Sequence, residues 1–209
     1  MGFSVNFPGA GLGANNVAAI FVNPSYNGGA TFDNAVLELS NPIIGIRPAK
    51  IGLFNPLDDL ATMLGYGLQG DGLGFALVGA NDRLAAQNII DIYNINGDLR
   101  TDFDSPAGTT STYGGIFPVT LEGTTAPGDS GGPIYVDGDI VGDLNGGFNL
   151  FGPASTYGDI SIWAPLANPL TVAWLESLHQ PIEFVPEPGS LAVLLVGIVG
   201  LATLVARRR

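Results

Sequence analysis

Short runs of apolar residues recur along the chain up to about residue 165, and each run is bounded by Gly, Pro, Asn or Asp. Runs of this length with such boundaries predict β-strands joined by turns. The predicted strands are residues 17–21, 35–39, 62–67, 75–78, 88–93, 115–121, 132–136, 140–144 and 159–163, with 42–56 as a connector. Residues 166–178 predict a helix, because Leu170, Trp174 and Leu178 recur at intervals of four. The pattern therefore indicates an all-β protein with one late helix.

The C-terminal segment has a different pattern. Residues 190–206 contain no charged side chain, and Arg207, Arg208 and Arg209 follow them. As a helix this segment would be about 25 Å long, slightly less than the ~30 Å hydrocarbon core of a bilayer. It predicts a transmembrane helix with the arginines on the cytoplasmic side and the preceding body on the outer face. A buried C-terminal helix is the alternative, but this segment is apolar on every face.

Composition and charge narrow the function classes. The chain has 31 Gly and 15 Pro, as a protein with many turns requires, and no Cys, which excludes disulfides and thiolate chemistry. All 19 acidic residues lie at or before Glu187, together with only 4 basic residues, so this part carries a net charge of −15. Such a body repels phosphates, and we expect no nucleic-acid partner. Residues 1–16 have neither the basic nor the apolar region of a signal peptide, although an outward-facing body needs an export signal.

The strongest chemical signal is the run Gly128-Asp129-Ser130-Gly131-Gly132-Pro133. Glycines around a serine allow a tight turn whose backbone N–H groups converge on one point. Such donors form an oxyanion hole, and each contributes about 10²–10³ in rate. A serine hydroxyl also needs an adjacent base, yet the chain holds one histidine, His179, at the predicted end of the helix. A histidine there is typical of a helix C-terminus rather than of a catalytic site.

This run resembles the nucleophile motif of trypsin-like serine peptidases, which have the chymotrypsin fold of two β-barrels. The resemblance implies that Ser130 is the nucleophile and that the N–H groups of Gly128 and Ser130 form the oxyanion hole. Upstream, residues 23–26 (Asn-Pro-Ser-Tyr) lead to Asp33 at the head of an apolar strand. This order resembles the family's segment around the triad aspartate, so Asp33 is implied to orient the histidine. Residues 61–67 resemble the opening strand of the second barrel.

The resemblance also implies a substrate pocket. Thr124 lies six residues before Ser130, where relatives that cleave after Arg or Lys carry an aspartate, so an uncharged residue of medium or large size is expected in this pocket. Residues 145–147 (Asn145, Gly146 and Gly147) are implied to form its rim, and Gly158 to leave it open. Residues 166–178 resemble the family's closing helix.

Two features depart from the family pattern. The triad histidine, which precedes the aspartate in the family, has no counterpart here, and most of the first barrel is missing with it. The remaining two predicted strands cannot close a barrel, so we expect exposed apolar faces and an unpaired edge. Family members also commonly bury a freed N-terminal amine against the acid before the serine, here Asp129, and the sequence offers no evident counterpart.

The tail resembles a PEP-CTERM sorting signal of Gram-negative bacteria. It has Pro186, Glu187 and Pro188, then the apolar segment, then the terminal arginines. The resemblance implies recognition by a membrane sorting enzyme of the exosortase type, with cleavage near this motif. The proline residues also favour an extended, non-helical segment. The protein is thus expected in the inner membrane, body outside the cytoplasm, and then at the cell surface or outside the cell.

Together these observations predict an incomplete chymotrypsin-type double barrel. We expect a remnant of the first barrel at 1–41, a connector at 42–60, the second barrel with its closing helix at 61–180, and the sorting signal at 181–209 with a transmembrane helix at 190–206. The expected function is an exported serine endopeptidase acting on peptides or proteins, inactive as written because the histidine is absent. The alternatives are a non-catalytic peptidase remnant and a surface or matrix protein that binds peptides. No cofactor or metal is expected, because the implied serine-peptidase chemistry requires none. The spacing of Asp137, Asp139 and Asp143 does not fit an EF-hand calcium loop.

Overall fold

The computed structural model of the protein describes residues 2–7, 12–73, 75–76, 82–114, 118–150 and 152–186. Within these residues the chain forms strands and one α-helix, α1, Pro169–Ser177. The strands are β1 Ser4–Phe7, β2 Leu12–Val22, β3 Ala35–Leu39, β4 Ile51–Leu53, β5 Leu60–Gly65, β6 Gln69–Gly70, β7 Phe75–Ala76, β8 Leu84–Ile89, β9 Ile92–Tyr93, β10 Leu99–Asp102, β11 Pro133–Val136, β12 Asp139–Phe148, β13 Ile160–Pro165 and β14 Phe184–Pro186. A 3₁₀ turn, Ala30–Phe32, precedes β3.

Strands β1, β2 and β3 form a separate antiparallel sheet, called here the first sheet. The predicted strand 35–39 coincides with β3, and the predicted strand 17–21 lies inside the longer β2. Large apolar side chains on this sheet face solvent, as expected for an open sheet: Val22 is 58% exposed and Ile20 is 47% exposed. The first sheet therefore buries too little apolar surface to have a core of its own.

The body is a nine-stranded sheet in the order β8-β5-β11-β12-β13-β10-β9, with β4 beside β12 and β14 beside β4. Alternate side chains of β5 and β11 point inward, because successive residues of a strand face opposite sides. The sheet curls so that its ends meet: the Asn88 side chain on β8 donates to the Asp102 carbonyl on β10 at 2.6 Å. The enclosed core contains Ala61, Met63, Ile90, Leu99, Ile134, Val136, Val141, Leu144 and Trp163.

The β11–β12 hairpin turns at Asp137-Gly138, as its sequence predicts. Both residues have positive φ, 52° and 90°, which matches a tight hairpin turn of type I′. Strand β12 runs to Phe148, beyond the predicted end at residue 144, and its pairing with β13 is irregular between Leu144 and Gly146. This irregularity lies where the candidate site is built.

Several predicted elements differ from the structure. The connector 42–56 contains β4, which pairs in parallel with β12 and β14. Residues 88–93 divide between β8 and β9, and residues 118–121 of the predicted strand 115–121 form no strand. The helix is shorter than predicted because Asn168 caps its first turn, accepting from the N–H of Leu170 at 2.9 Å.

The predicted apolar face of the helix is also wrong in part. Leu170 is 59% exposed, whereas Thr171, Trp174 and Leu175 are buried. The buried stripe of α1 therefore begins at Thr171 instead of Leu170. The Thr171 hydroxyl can be buried there because the Asn23 side chain donates a hydrogen bond to it.

The predicted transmembrane helix at 190–206 lies outside the described residues. Among the residues that are described, none of the helices has the length and apolar character needed to cross a bilayer.

Candidate active site

The Ser130 turn has a conformation that requires its glycines. Gly128 and Gly131 have φ of +103° and +78°, a region that residues with a side chain rarely adopt. Gly132 N–H donates to the Asp129 carbonyl, and Gly131 N–H donates to the Leu144 carbonyl on β12, both at 2.8 Å. The turn is therefore tight and is attached directly to β12.

Three polar groups of this turn remain available to a ligand. Ser130 is exposed. Within the described part of the chain, neither its hydroxyl nor the N–H groups of Gly128 and Ser130 form a hydrogen bond. Unused backbone donors beside an exposed hydroxyl are the elements that an oxyanion hole requires.

Asp129 holds the other side of the turn. Its carboxylate accepts from the N–H of Gly67 at 2.6 Å and from the N–H of Ala126 at 2.9 Å. A Cβ atom at Gly65 would overlap Asp129 Oδ1, and one at Gly67 would come within 2.5 Å of it. The two glycines that precede β6 thus allow the Asp129 side chain to lie against the backbone. The carboxylate is satisfied by amides of the chain itself.

Asp33 approaches the same strand from the first sheet. The Asn145 Nδ2 group donates to Asp33 Oδ2 at 2.5 Å, and Leu144, the preceding residue, accepts from Gly131. Two adjacent residues of β12 therefore bring the serine turn and Asp33 together, although they are 97 positions apart in the sequence. No hydrogen bond from a described residue reaches Asp33 Oδ1, so this oxygen is available to a further donor.

A set of polar side chains lies behind Asp33, between the first sheet, β12 and α1. We call it the polar joint, and its members are Asn23, Asp33, Asn34, Asp143, Asn145 and Thr171. Asn34, 5% exposed, donates to Asp143 Oδ1 at 2.6 Å. Asn23, 1% exposed, donates to Asn34 Oδ1 and to Thr171 Oγ1, both at 3.3 Å. The joint therefore links the three elements by hydrogen bonds.

Burial raises the pKa of Asp143 to about 7, and the nearby charge of Asp33 raises it further, while the hydrogen bond from Asn34 opposes the shift. Sequence reasoning considered Asp143 only as a calcium ligand and did not single out Asn34. The signal that could have found Asp143 is its position in the otherwise uncharged run 140–144, because a charge within a buried strand needs a partner.

His179 does not join the site. It follows α1 with a positive φ of 54°, its backbone N–H donates to the Glu176 carbonyl at 3.2 Å, and its side chain is exposed. No hydrogen bond connects the His179 imidazole to Ser130 or Asp33 in the described residues. This placement agrees with the interpretation of His179 as a helix-terminal residue.

A cavity of about 330 Å³ lies beside the Ser130 turn. Its walls include Asp129 and Gly132 on either side of Ser130–Gly131, Leu144 and Trp163 from the core, and Glu122. Burial raises the pKa of Glu122 to about 7, opposed by hydrogen bonds from the N–H groups of Val119 and Asp104. The cavity is thus close to the serine, and its walls contain both apolar residues and carboxyl groups.

Of the predicted pocket residues, Thr124 lines this cavity, whereas Asn145, Gly146, Gly147 and Gly158 do not. The Thr124 hydroxyl lies 2.9 Å from the hydroxyl of Ser161, which is 1% exposed. Gly146 and Gly147 pair with β13. Gly158 adopts a φ of 93° in the turn before β13, where its N–H donates to the Phe103 carbonyl at 2.7 Å.

A second acidic group lies next to Glu122, because the Asp104 N–H donates to the Glu122 carboxylate at 3.4 Å. Burial raises the pKa of Asp91 to about 7, and the charges of Asp102 and Asp104 act in the same direction. Asp102 is satisfied by Ser111 and by the N–H groups of Thr112 and Tyr113. In the described part of the chain, no three His, Cys, Asp or Glu residues are arranged to hold a metal ion.

Of the three residues predicted as a sorting motif, the structure describes only the first. Pro186 ends β14, which is extended as its proline favours and pairs with β4. An ion pair between Lys50 and Glu183 lies next to this pairing. Glu187 and Pro188 lie outside the described residues.

The fold of this chain has a counterpart among solved structures. Neuropsin, a serine protease expressed in the limbic system of mouse brain, matches this chain with a TM-score of 0.58 and 18% identity, over 80% of this chain and 72% of neuropsin. The fold is that of a trypsin-like serine protease. At this identity the likeness establishes the fold and not the chemistry. No family model matches the chain, and neither does any curated protein.

Proposed function

We propose that this chain is a serine endopeptidase of the trypsin-like type that acts through an acyl-enzyme on Ser130. The observation that supports this most directly is the meeting of the serine turn and Asp33 at Leu144 and Asn145 of β12. Ser130 Oγ would attack the carbonyl carbon of the substrate while a base takes its proton. The N–H groups of Gly128 and Ser130 would bind the oxyanion. The amine then leaves with that proton, and water hydrolyses the ester.

The base in this proposal is a histidine that the chain does not place at the site. Asp33 Oδ1, which accepts no hydrogen bond from a described residue, would receive the histidine N–H and hold the ring toward Ser130. His179 is at the end of α1 and carries out no such role in the proposal. We therefore propose that these 209 residues alone are inactive.

The proposed substrates are peptides or proteins with an uncharged residue of medium or large size before the cleaved bond. Thr124, whose hydroxyl is engaged with Ser161, offers no negative charge to a Lys or Arg side chain. The adjoining cavity has apolar walls at Met63, Leu144 and Trp163. We further propose a rim at Asn145, Gly146 and Gly147, with Gly158 leaving the pocket open.

We also propose that the tail is a PEP-CTERM sorting signal. The sequence support is the order Pro186-Glu187-Pro188, the uncharged segment 190–206 and the three terminal arginines. In this proposal the protein enters the inner membrane with its body outside the cytoplasm, and an exosortase-type enzyme then cuts near the motif. The mature body reaches the cell surface or the medium.

Chemical rescue tests the catalytic proposal. The full chain, in a mild detergent, is treated with a fluorophosphonate probe with and without added imidazole, which can replace a missing histidine base. We expect labelling that depends on imidazole, that disappears in Ser130→Ala, and that falls by about 10-fold or more in Asp33→Asn, because the aspartate stabilises the protonated ring.

The possible results separate the alternatives. Labelling that persists in Ser130→Ala, or no labelling at any imidazole concentration, contradicts the peptidase proposal. The two non-catalytic alternatives then remain, a peptidase remnant and a surface or matrix protein that binds peptides without cutting them. Rapid labelling of the wild-type chain without imidazole contradicts the proposal that the chain lacks its base.

A further inference from the structure

We propose that Asp143 is a positioning residue that holds Asp33 against Asn145 while it is protonated and loosens the first sheet from the body when it ionises. The role of Asp33 in this inference rests on the proposed function. The coupling between Asp143 and the first sheet does not, because it follows from the contacts of the polar joint alone.

The hydrogen bonds fix how the joint is assembled. Asn34 Oδ1 accepts from Asn23, so the amide nitrogen of Asn34 is the end that meets Asp143 Oδ1. Asn34 is adjacent to Asp33 in the sequence, and its own backbone carbonyl accepts from the N–H of Asn23 at 3.0 Å. Because its side chain and backbone are both engaged, a displacement of Asn34 from Asp143 displaces Asp33 as well.

Among the described residues, no Lys, Arg or His side chain offsets a charge on Asp143. Its partners across β11 and β13 are Pro133 and Ala164, which are uncharged. The titratable group that faces it from the first sheet is Asp33, another acid. Among the described residues, the ion pairs lie elsewhere, between Lys50 and Glu183 and between Arg100 and Asp98. The Asn34 amide is thus the main polar compensation for a charge on Asp143.

Protonation therefore decides how many charges the joint contains. When Asp143 is protonated, its carboxyl adds no negative charge to the joint. As pH rises through about 7, Asp143 ionises. Its charge is then poorly solvated because the side chain is buried, and the nearby charge of Asp33 repels it, so these two effects together outweigh the hydrogen bond from Asn34. The carboxyl titrates higher in the folded than in the unfolded chain, so its contribution to stability is full at low pH and is lost as pH rises toward and through 7.

The test compares two identical substitutions on one strand. Asp143→Asn removes the ionisable group and keeps its size. Asp139→Asn, also on β12, is the matched control, because the Asp139 side chain forms no hydrogen bond with a described residue. Urea unfolding of the full chain is followed from pH 5 to pH 8. We expect the wild-type midpoint to fall over this range, in part through Asp91 and Glu122, whose pKa values are also raised to about 7.

In Asp143→Asn we expect the fall in midpoint to be smaller, with the variant more stable than wild type at pH 8, while Asp139→Asn follows the wild type. An unchanged pH dependence in Asp143→Asn overturns the inference. If the variant does not fold, NMR titration of the Asp143 carboxyl in the wild type decides. A titration near the ordinary aspartate value of about 4 overturns the inference, and one near neutrality, moved higher by Asn34→Ala, supports it.

A separate measurement addresses Asp33. Imidazole-dependent probe labelling is measured in wild type and in Asp143→Asn at the same pH, so that the titration of imidazole itself cancels. We expect the wild-type rate to decline relative to the variant above pH 7. If neither protein is labelled, the proposed function fails, yet the unfolding data still decide the role of Asp143. If both are labelled with one common pH profile, the proposed function stands and the positioning role of Asp143 fails.

Discussion

The first sheet and the body bury their apolar residues very differently. In the body, Ala61, Ile134 and Trp163 are 0% exposed, and the sheet curls around them. In the first sheet, Ile20 and Leu37 are 47% and 46% exposed, and contact with the body includes the polar joint and the 3₁₀ turn Ala30–Phe32 against β13. The comparison teaches that the candidate site spans two regions that bury apolar surface unequally. Ser130 lies on the well-packed region, and Asp33 lies beside the sparsely packed one.

The largest expected effect comes from the same substitution made once in each region. Ile134→Ala removes a fully buried side chain next to Trp163 and leaves a cavity, so we expect a loss of about 2–5 kcal/mol in the free energy of unfolding. Ile20→Ala on β2 removes a half-exposed side chain, and we expect a change of no more than about 1 kcal/mol. Urea unfolding measures both. Equal losses at the two positions would contradict the distinction between the regions.

The body was predictable from sequence because its signals are local. Residues with a side chain rarely adopt the positive φ of residues 128 and 131, so the motif around Ser130 indicates a turn whatever surrounds it. Asp137-Gly138 likewise specifies the β11–β12 hairpin. In the first sheet, the predicted strand 35–39 coincides with β3, and Asp33 ahead of it contacts β12, the strand to which the serine turn is attached.

The remaining features depend on partners that are distant in the sequence. Asn34 and Asp143 are separated by 109 positions. The sequence around either residue does not indicate that it contacts the other. The helix stripe includes Thr171 instead of Leu170 because Asn23, 148 positions away, donates to its hydroxyl. Residues 42–56 were predicted as a connector, yet β4 forms there because β12 and β14 supply partners. Each of these three features depends on tertiary packing. Hydrophobic periodicity along the sequence carries no information about such packing.

The next effect concerns the support of the serine turn in the body. Gly65→Ala places a Cβ atom on Asp129 Oδ1, so the carboxylate must leave the N–H groups that hold it. We expect a cost of about 1–3 kcal/mol in unfolding free energy and a loss of imidazole-dependent labelling of Ser130. Gly146→Ala is the matched control, because a Cβ there meets no atom within 4 Å.

Gly146 lies on β12 beside Asn145. Its substitution therefore also tests whether any added side chain near the site lowers the unfolding free energy as Gly65→Ala does. We expect Gly146→Ala to unfold close to the wild-type midpoint, so it is the control for stability. If Gly65→Ala unfolds like Gly146→Ala and is labelled like the wild type, Asp129 does not hold the turn in the way its hydrogen bonds indicate.

The last prediction concerns self-association, and for it we expect the smallest change in stability. It distinguishes the open first sheet from the body. Leu37 on β3 and Leu60 on β5 have nearly equal exposure, 46% and 48%. Among the described strands, however, β3 pairs with β2 alone, whereas β5 lies between β8 and β11. Open edges with apolar side chains favour pairing with other chains. We therefore expect Leu37→Lys to lower concentration-dependent association in sedimentation velocity, with little change in unfolding, and Leu60→Lys to leave association unchanged. If both variants associate like the wild type, contacts elsewhere on the chain drive association and the first sheet is not its origin.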